Sequence, residues 1–123
     1  MNYTIPITKE MVTARTTIYA SRKDAVNICR QINRKKFKRA RTYLEDLLGQ
    51  KVAIRRKYHT KAAMNIYRLL DSLAANAKAR SIEPDQMKLI IAVHRGPTLH
   101  RGRRKRKFGT QIKIAHVQAV LMK

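Results

Sequence analysis

The sequence predicts an α+β domain: three helices packed on a small three-stranded antiparallel sheet, with a long basic β-hairpin protruding from it. Three observations carry that expectation. Apolar residues recur at helical spacing in three segments, they alternate at strand spacing in three others, and a polar, densely basic stretch separates the last two strands. Helices segregated to one face of an antiparallel sheet satisfy that pattern. At 123 residues the chain has the length of one domain with a modest core.

Residues 1–12 show little periodicity and are expected to form an extended N-terminal arm, leaving 13–123 as a single globular domain. TARTTIYA (13–20), rich in Thr, Ile and Tyr, suits a strand. Ser21 then opens a helix, SRKDAVNICRQINRK, with Asp24 at the third position after it in a variant of the capping box. Ala25, Ile28, Cys29 and Ile32 form its apolar stripe, opposite Arg22, Lys23, Arg30 and Arg34. A second helix fits FKRARTYLEDLLG, with Phe37, Ala40, Tyr43, Leu44 and Leu47 on one stripe and Gly49 placed to end it. KVAIRRKYHT (51–60) has no clear period and reads as a basic loop. From Lys61, KAAMNIYRLLDSLAANAKAR is the strongest helix, its buried stripe running through Ala63, Ile66, Tyr67, Leu70, Leu73, Ala74 and Ala77. Lys78 and Arg80 sit in its last turn, where the helix dipole favours cations, and Pro84 breaks the chain after it.

MKLIIAVH (87–94) alternates with Leu89, Ile91 and Val93 on one face. IKIAHVQAVLM alternates too, but Ile112 and Ile114 share one parity while Val117, Ala119 and Leu121 share the other. That one-residue slip marks a bulge or a strand whose outer part leaves the core. Between these strands, 94–112 is too polar to be core and is expected to be a hairpin extension. With roughly nine residues a side at about 3.3 Å each it would project on the order of 30 Å. Such a hairpin is marginal in water without a partner.

The charge names the partner's class. Twenty-nine Lys and Arg stand against seven Asp and Glu, a formal net charge of +22. A domain so charged repels itself and is most at ease against a polyanion, nucleic acid first. Six of the seven residues from Arg101 to Lys107 are basic, and fourteen further Lys and Arg lie between Arg22 and Lys61. Each phosphate they neutralise releases counterion, so binding should weaken steeply with salt. No helix-turn-helix signature, zinc spacing or aromatic-rich strand is present, which favours a binder of phosphate and shape over a reader of bases. His59, His94, His100 and His116 have no Cys, Asp or Glu at ligand spacing, so no metal is expected. The lone cysteine, Cys29, falls on an apolar stripe and reads as a small core residue in a reducing compartment. The acids form no pair suited to general acid–base work, so the sequence supports neither catalysis nor a cofactor. No apolar run is long enough to cross a membrane.

The order SRKDAVNICRQINRKK, KRARTYLEDLL, KAAMNIYRLLDSLAANAKAR, DQMKLIIAVHRGP, basic loop, AHVQAVL resembles one universal family of ribosomal proteins, numbered twenty-two in bacteria and seventeen in eukaryotes. The likeness runs from about Ala14 to Leu121, most specifically through SLAANAKAR and the strand-hairpin-strand finish containing His116. YLEDLLGQKVAIRRKY looks like the archaeal and eukaryotic branch. The resemblance implies a body on the outer surface of the large subunit near the exit of the nascent-peptide tunnel. It also implies a hairpin threaded through ribosomal RNA to the tunnel wall, which would explain dense positive charge at a turn. The implied partners are large-subunit ribosomal RNA, neighbouring ribosomal proteins and the nascent polypeptide, with no membrane and no homo-oligomer, in the cytosol. Three features depart from the family: AIRRKYHTKAAMN passes directly between the second and third helices without the branch's long insertion, the return arm from Gly109 to His116 is about four residues shorter, and RGRRKRKFG replaces a more mixed tip.

The residues expected on RNA are Arg22, Lys23, Arg34, Lys35, Lys36, Lys38, Arg39, Arg55, Arg56, Lys57 and Lys61 on the body. On the hairpin they are Arg95, Arg101, Arg103, Arg104, Lys105, Arg106, Lys107 and Lys113, with Leu99, His100, Arg101, Gly102, Arg103 and Arg104 forming the tip at the tunnel. The competing reading is a free architectural protein that coats DNA or RNA. A third, an RNA-modifying or RNA-cleaving enzyme, would need a clustered acid, base or nucleophile that the sequence does not show.

Overall fold

The computed structural model describes residue 3, residues 5–104 and residues 106–122. Residues 1, 2 and 4 of the expected arm, the proposed RNA contact Lys105, and Lys123 lie outside the described residues. In chain order the elements are β1 (Val12–Ile18), α1 (Arg22–Ile32), α2 (Phe37–Leu48), α3 (Thr60–Ala79), β2 (Lys88–Arg95), β3 (Leu99–His100), β4 (Gln111–Ile112) and β5 (Ala115–Met122). The main sheet has the order β1-β5-β2, antiparallel throughout, so the last strand is inserted between the two earlier ones. This is the expected α+β domain of three helices and a three-stranded antiparallel sheet.

The three helices close one face of that sheet because each buries the stripe its spacing foretold. Ala25, Ile28, Cys29 and Ile32 are buried on α1, and Phe37, Ala40, Leu44 and Leu47 on α2. On α3 the buried set adds Ala62 and Leu69 to the expected residues, while Tyr43 and Tyr67 are only half-buried at the margin of the core. Val12, Ala14 and Ile18 of β1, Leu89 and Ile91 of β2, and Ala115, Val117, Ala119 and Leu121 of β5 point into the same core. Residues of alternate parity on β5 face the other way, as the period of a strand requires.

Both outer edges of the sheet are occupied, which removes a template for stray pairing. Along β2, the α1–α2 connection runs as a short fourth rung. The N–H of Arg34 donates to Leu89 O at 2.8 Å, that of Leu89 to Lys35 O at 2.8 Å, and that of Phe37 to Met87 O at 2.9 Å. Asn33 Oδ1 accepts from the N–H of Ile91 at 3.1 Å. Along β1, α3 supplies the partners: Asn76 Nδ2 donates to Thr13 O at 2.9 Å, and the Arg80 guanidinium donates to the carbonyls of Lys9 and Met11, pinning the end of the N-terminal segment. A polar clasp joins α2 to α3. Arg41 pairs with Asp71 at 3.0 Å and lies over the Tyr67 ring, and the Tyr67 hydroxyl donates to Glu45 at 2.9 Å.

Two local expectations are corrected, and a third, that Gly49 ends α2, is met without a left-handed glycine. Ser21 is the N-cap of α1, but its side chain makes no cap bond, and Asp24 meets His59 at 3.1 Å instead of completing a capping box. Gly49 caps α2 at φ −78°, and the left-handed residue that turns the chain is Gln50 at φ 60°, with Lys51 N–H closing on Asp46 O at 2.9 Å. The paired hairpin beyond the body is shorter than the expected nine residues a side. The β2–β5 ladder ends at Arg95↔Ala115, and pairing resumes only for Leu99↔Ile112 and His100↔Gln111. Ile112 and Ile114 leave the core that Val117, Ala119 and Leu121 share, the second of the two readings of the parity slip. Three residues, Gly96 to Thr98, face two, Lys113 and Ile114, so the irregularity lies on the outgoing arm. Pro97, which lacks an N–H, sits inside it and cannot carry the ladder through. From Arg95 to Arg101 the arm spans at most about 20 Å.

Phe37, fully buried where α2 begins, joins the edge of β2 to the helical layer. Replacing it with Ala should lower stability by about 3–5 kcal/mol. A fall in the urea midpoint at an unchanged m-value is the expected readout.

Candidate nucleic-acid interface

The candidate interface is built where the starts of two helices meet the root of the hairpin. The Asp24–His59 contact brings the N-terminus of α1 beside that of α3. Neither N-cap, Ser21 or His59, makes a side-chain cap bond, so the first N–H groups of both helices keep their partial positive charge toward solvent. His59 adopts a left-handed backbone at φ 46°, and its ring is 5% exposed, with Nε2 unpartnered among the described residues.

Two clefts flank the hairpin root. One, of about 540 Å3, is lined by Arg22 and Lys23 from α1 and by Arg95, Gly96, Gln111 and Lys113 from the hairpin arms. The other, of about 310 Å3, is lined by Tyr19, Asp24, Lys61, Arg101, Gln111 and Lys113. Lys113 stands between them and lines both. Cations at the ends of two helix dipoles form a place for phosphate groups. The arms come close here because position 96 is glycine: a Cβ there would lie 2.6 Å from Ile114 Cγ2 and 2.9 Å from the Ile114 carbonyl.

The other expected contacts form separate patches. Lys35, Lys38 and Arg39 line a groove along α2 beside Tyr43, and Lys35 Nζ sits 5.6 Å from the centre of that ring. Burial pushes the Tyr43 hydroxyl pKa above its ordinary value. Arg55 lines a small cavity with Arg30 and Tyr43. Arg55 and Arg56 are the two central residues of a tight turn in which Ile54 and Lys57 exchange hydrogen bonds of 2.8 and 2.9 Å. Both take left-handed φ values, 50° and 64°, that asparagine and glycine adopt more readily. Arg34, at φ 63°, and Lys36 project from the rung along β2, with Lys36 Nζ donating to Gln86 Oε1 at 3.1 Å. Arg103, Arg104, Arg106 and Lys107 are exposed in the terminal loop.

Eighteen of the nineteen expected RNA contacts are described, and every one is exposed with no acidic partner among the described residues. Three of the seven acids, Asp24, Glu45 and Asp71, are held in ion pairs with other residues. Asp71 and Glu45 hold Arg41, whose pKa is pushed up chiefly by its hydrogen bond to Tyr67, against the opposing effect of burial. In the expected tip, Leu99 and His100 belong to the β3–β4 ladder, not to the turn. The turn proper begins at Arg101, whose N–H donates to Thr110 O at 2.9 Å and whose carbonyl accepts from Gly109. It therefore includes Lys107 and Phe108. Sequence reasoning missed two exposed aromatic rings, Tyr19 at 60% and Phe108 at 61%. For Tyr19 the signal existed: Val12, Ala14 and Ile18 share the inward parity, which turns residue 19 outward.

Burial pushes the Cys29 thiol from its ordinary 9.0 up to about 12. Among the described residues, no three of His, Cys, Asp and Glu cluster to hold a metal, and no helix is long and apolar enough to cross a membrane. Because the folded thiol stays protonated, Cys29 should resist alkylation at pH 8 until the protein unfolds. Its contribution to stability should be complete below pH 9 and fade as pH climbs toward 12. Gly96→Ala should force the crossing arms apart at a cost of about 1–3 kcal/mol. Amide exchange should then show lost protection at Gly96, whose N–H donates to Ile114 O, while the β1–β5 ladder stays protected.

Residues 13–119 match the family described as Ribosomal protein L22p/L17e. Among curated proteins, the chain is 29% identical to the large ribosomal subunit protein uL22 of Sulfolobus acidocaldarius, covering 85% of this chain and 83% of that one. It is 28% identical to the uL22 of Methanosphaera stadtmanae, over 82% of this chain and 80% of the relative. For the uL22 of Methanocella arvoryzae the identity is 27%, over 85% and 83%. A match spanning both outer strands, all three helices and the hairpin root establishes that the chain belongs to the ribosomal protein L22p/L17e family.

Proposed function

We propose that this chain, as a large-subunit member of its family, clamps ribosomal RNA between its helical body and its basic hairpin, and that the hairpin turn forms part of the nascent-peptide tunnel wall. The observation that supports this best is the segregation of charge. The described cations expected on RNA are exposed and have no acidic partner among the described residues, and six of them, Arg22, Lys23, Lys61, Arg95, Arg101 and Lys113, gather where two helix N-termini meet the hairpin arms. Phosphates entering the two clefts would bridge α1, α3 and the hairpin, so RNA would hold the short hairpin in place as the hairpin ties RNA segments together. Nothing in this arrangement requires bond-making, and the role is structural.

Arg22, Lys23, Arg95 and Lys113 carry the larger cleft. Changing all four to Gln should lower the slope of log affinity against log salt by about 3, at roughly 0.7–0.9 per phosphate contact. In a lysate the wild-type chain should sediment with the large subunit and stay there through a high-salt wash. Release by that wash, or co-sedimentation with chromatin, would favour a free architectural protein. A cryo-EM map of the subunit in which residues 101–110 stop short of the lumen would remove the tunnel-wall role while leaving the clamp.

A further inference from the structure

The smaller cleft at the hairpin root contains a group that phosphate binding does not use. Tyr19 stands where edge strand β1 bends toward α1, with its ring 60% exposed and its hydroxyl unpartnered among the described residues. It contributes nothing to the core, whose inward-facing members on β1 are Val12, Ala14 and Ile18. Yet it is surrounded by charge, lining a cleft of about 310 Å3 together with Lys61, Arg101 and Lys113. An exposed aromatic face among cations is the arrangement that holds an unstacked base while its backbone is neutralised.

We propose that this cleft holds one unpaired RNA base stacked on Tyr19, with the flanking phosphates on Lys61, Arg101 and Lys113. The inference deepens the RNA-clamp reading and rests on it. The charges in the cleft set the orientation of the nucleotide. Asp24 lies on the α1 side, one carboxylate oxygen engaged by His59 at 3.1 Å, and its charge excludes phosphate from that wall. The phosphates therefore go to the walls that carry Lys61 of α3 and Arg101 and Lys113 of the hairpin, and the uncharged base goes toward Asp24. The second Asp24 oxygen can accept a hydrogen bond from an N–H of the base, and the Gln111 amide offers both a donor and an acceptor. Phe108, equally exposed, lines neither of these two clefts. The capture of single-base bulges at the hairpin root follows.

The test compares three RNAs of one sequence by fluorescence anisotropy with the full chain: a duplex with a one-nucleotide bulge, the same duplex with an abasic bulge, and the fully paired duplex. The wild type should prefer the bulged RNA to its abasic analogue by at least about fivefold, the lower end for one stacked base. Tyr19→Leu should lose that preference and Tyr19→Phe should keep it. Lys61→Gln should weaken binding to all three RNAs. Equal affinity of the wild type for bulged and abasic RNA, or an unchanged preference in Tyr19→Leu, overturns base capture while steep salt dependence on all three RNAs leaves the clamp intact. Absence of salt-dependent binding to any of them overturns both. A photoreactive phenylalanine analogue at position 19 that crosslinks only to protein in the assembled subunit also overturns it, by giving the ring to a neighbouring protein.

Discussion

Self-repulsion is the constraint on which the rest of this structure depends. A net charge of +22 on 123 residues opposes any compact state, and seven carboxylates cannot neutralise it. The acids are used where geometry matters most. Asp71 and Glu45 fix Arg41, the cation lodged at the α2–α3 seam, and Asp24 fixes the His59 cap. The remaining cohesion comes from apolar burial, which is indifferent to sign of charge and is supplied by stripes that leave the eighteen described RNA-contact candidates in solvent. Cohesion and repulsion are thereby separated in space. The core lies between helices and sheet, and the cations lie on the outer faces, the edge rung and the hairpin.

That separation makes the hairpin root a meeting point. The last strand is central in the sheet, so its partner arm must leave the body beside β2 and close to the start of α1. The Asp24–His59 contact then sets α3 next to α1. Two helix dipoles and the cations of both arms converge because of strand order, not because any short segment encodes a site. Gly96 permits the convergence, since any side chain there would meet the backbone of Ile114.

This history explains what was legible in the sequence. The stripes of α1 and α2 were readable residue by residue, because a period of 3.6 reports a buried face directly. The parity slip between Ile114 and Val117 marked where the strand's outer part leaves the core, whereas the extra residue on the opposite arm had no such signal. The capping box failed because Asp24 had a competing partner thirty-five positions away, and no local rule can weigh a tertiary contact. The hairpin's paired length was overestimated because polarity marks what cannot be core but does not say what can pair; Pro97 was the residue that should have shortened it. The candidate cations were visible as a list. Their grouping into two clefts was not, because Arg22, Lys61, Arg95 and Lys113 are joined only by topology.

The shape of the charged surface bears on how such a chain would be ordered. The body has its own core, a backbone rung along β2 and an α3 side chain on the start of β1. The outer hairpin has two ladder pairs and an exposed loop of like charges, and two pairs alone are too few to resist that repulsion. Below those pairs the arms are joined to each other where the Gly96 N–H donates to Ile114 O, at the close crossing that glycine permits. A polyanion in the clefts would cancel the repulsion and bridge the arms to α1 and α3 in a single step. Binding and ordering of the hairpin would then be one event, strengthened at low salt, with the body serving as the rigid half of the clamp. The cations that most destabilise the free hairpin are the ones a polyanion would use, so the residues that keep it loose alone are those that would hold it fast on RNA.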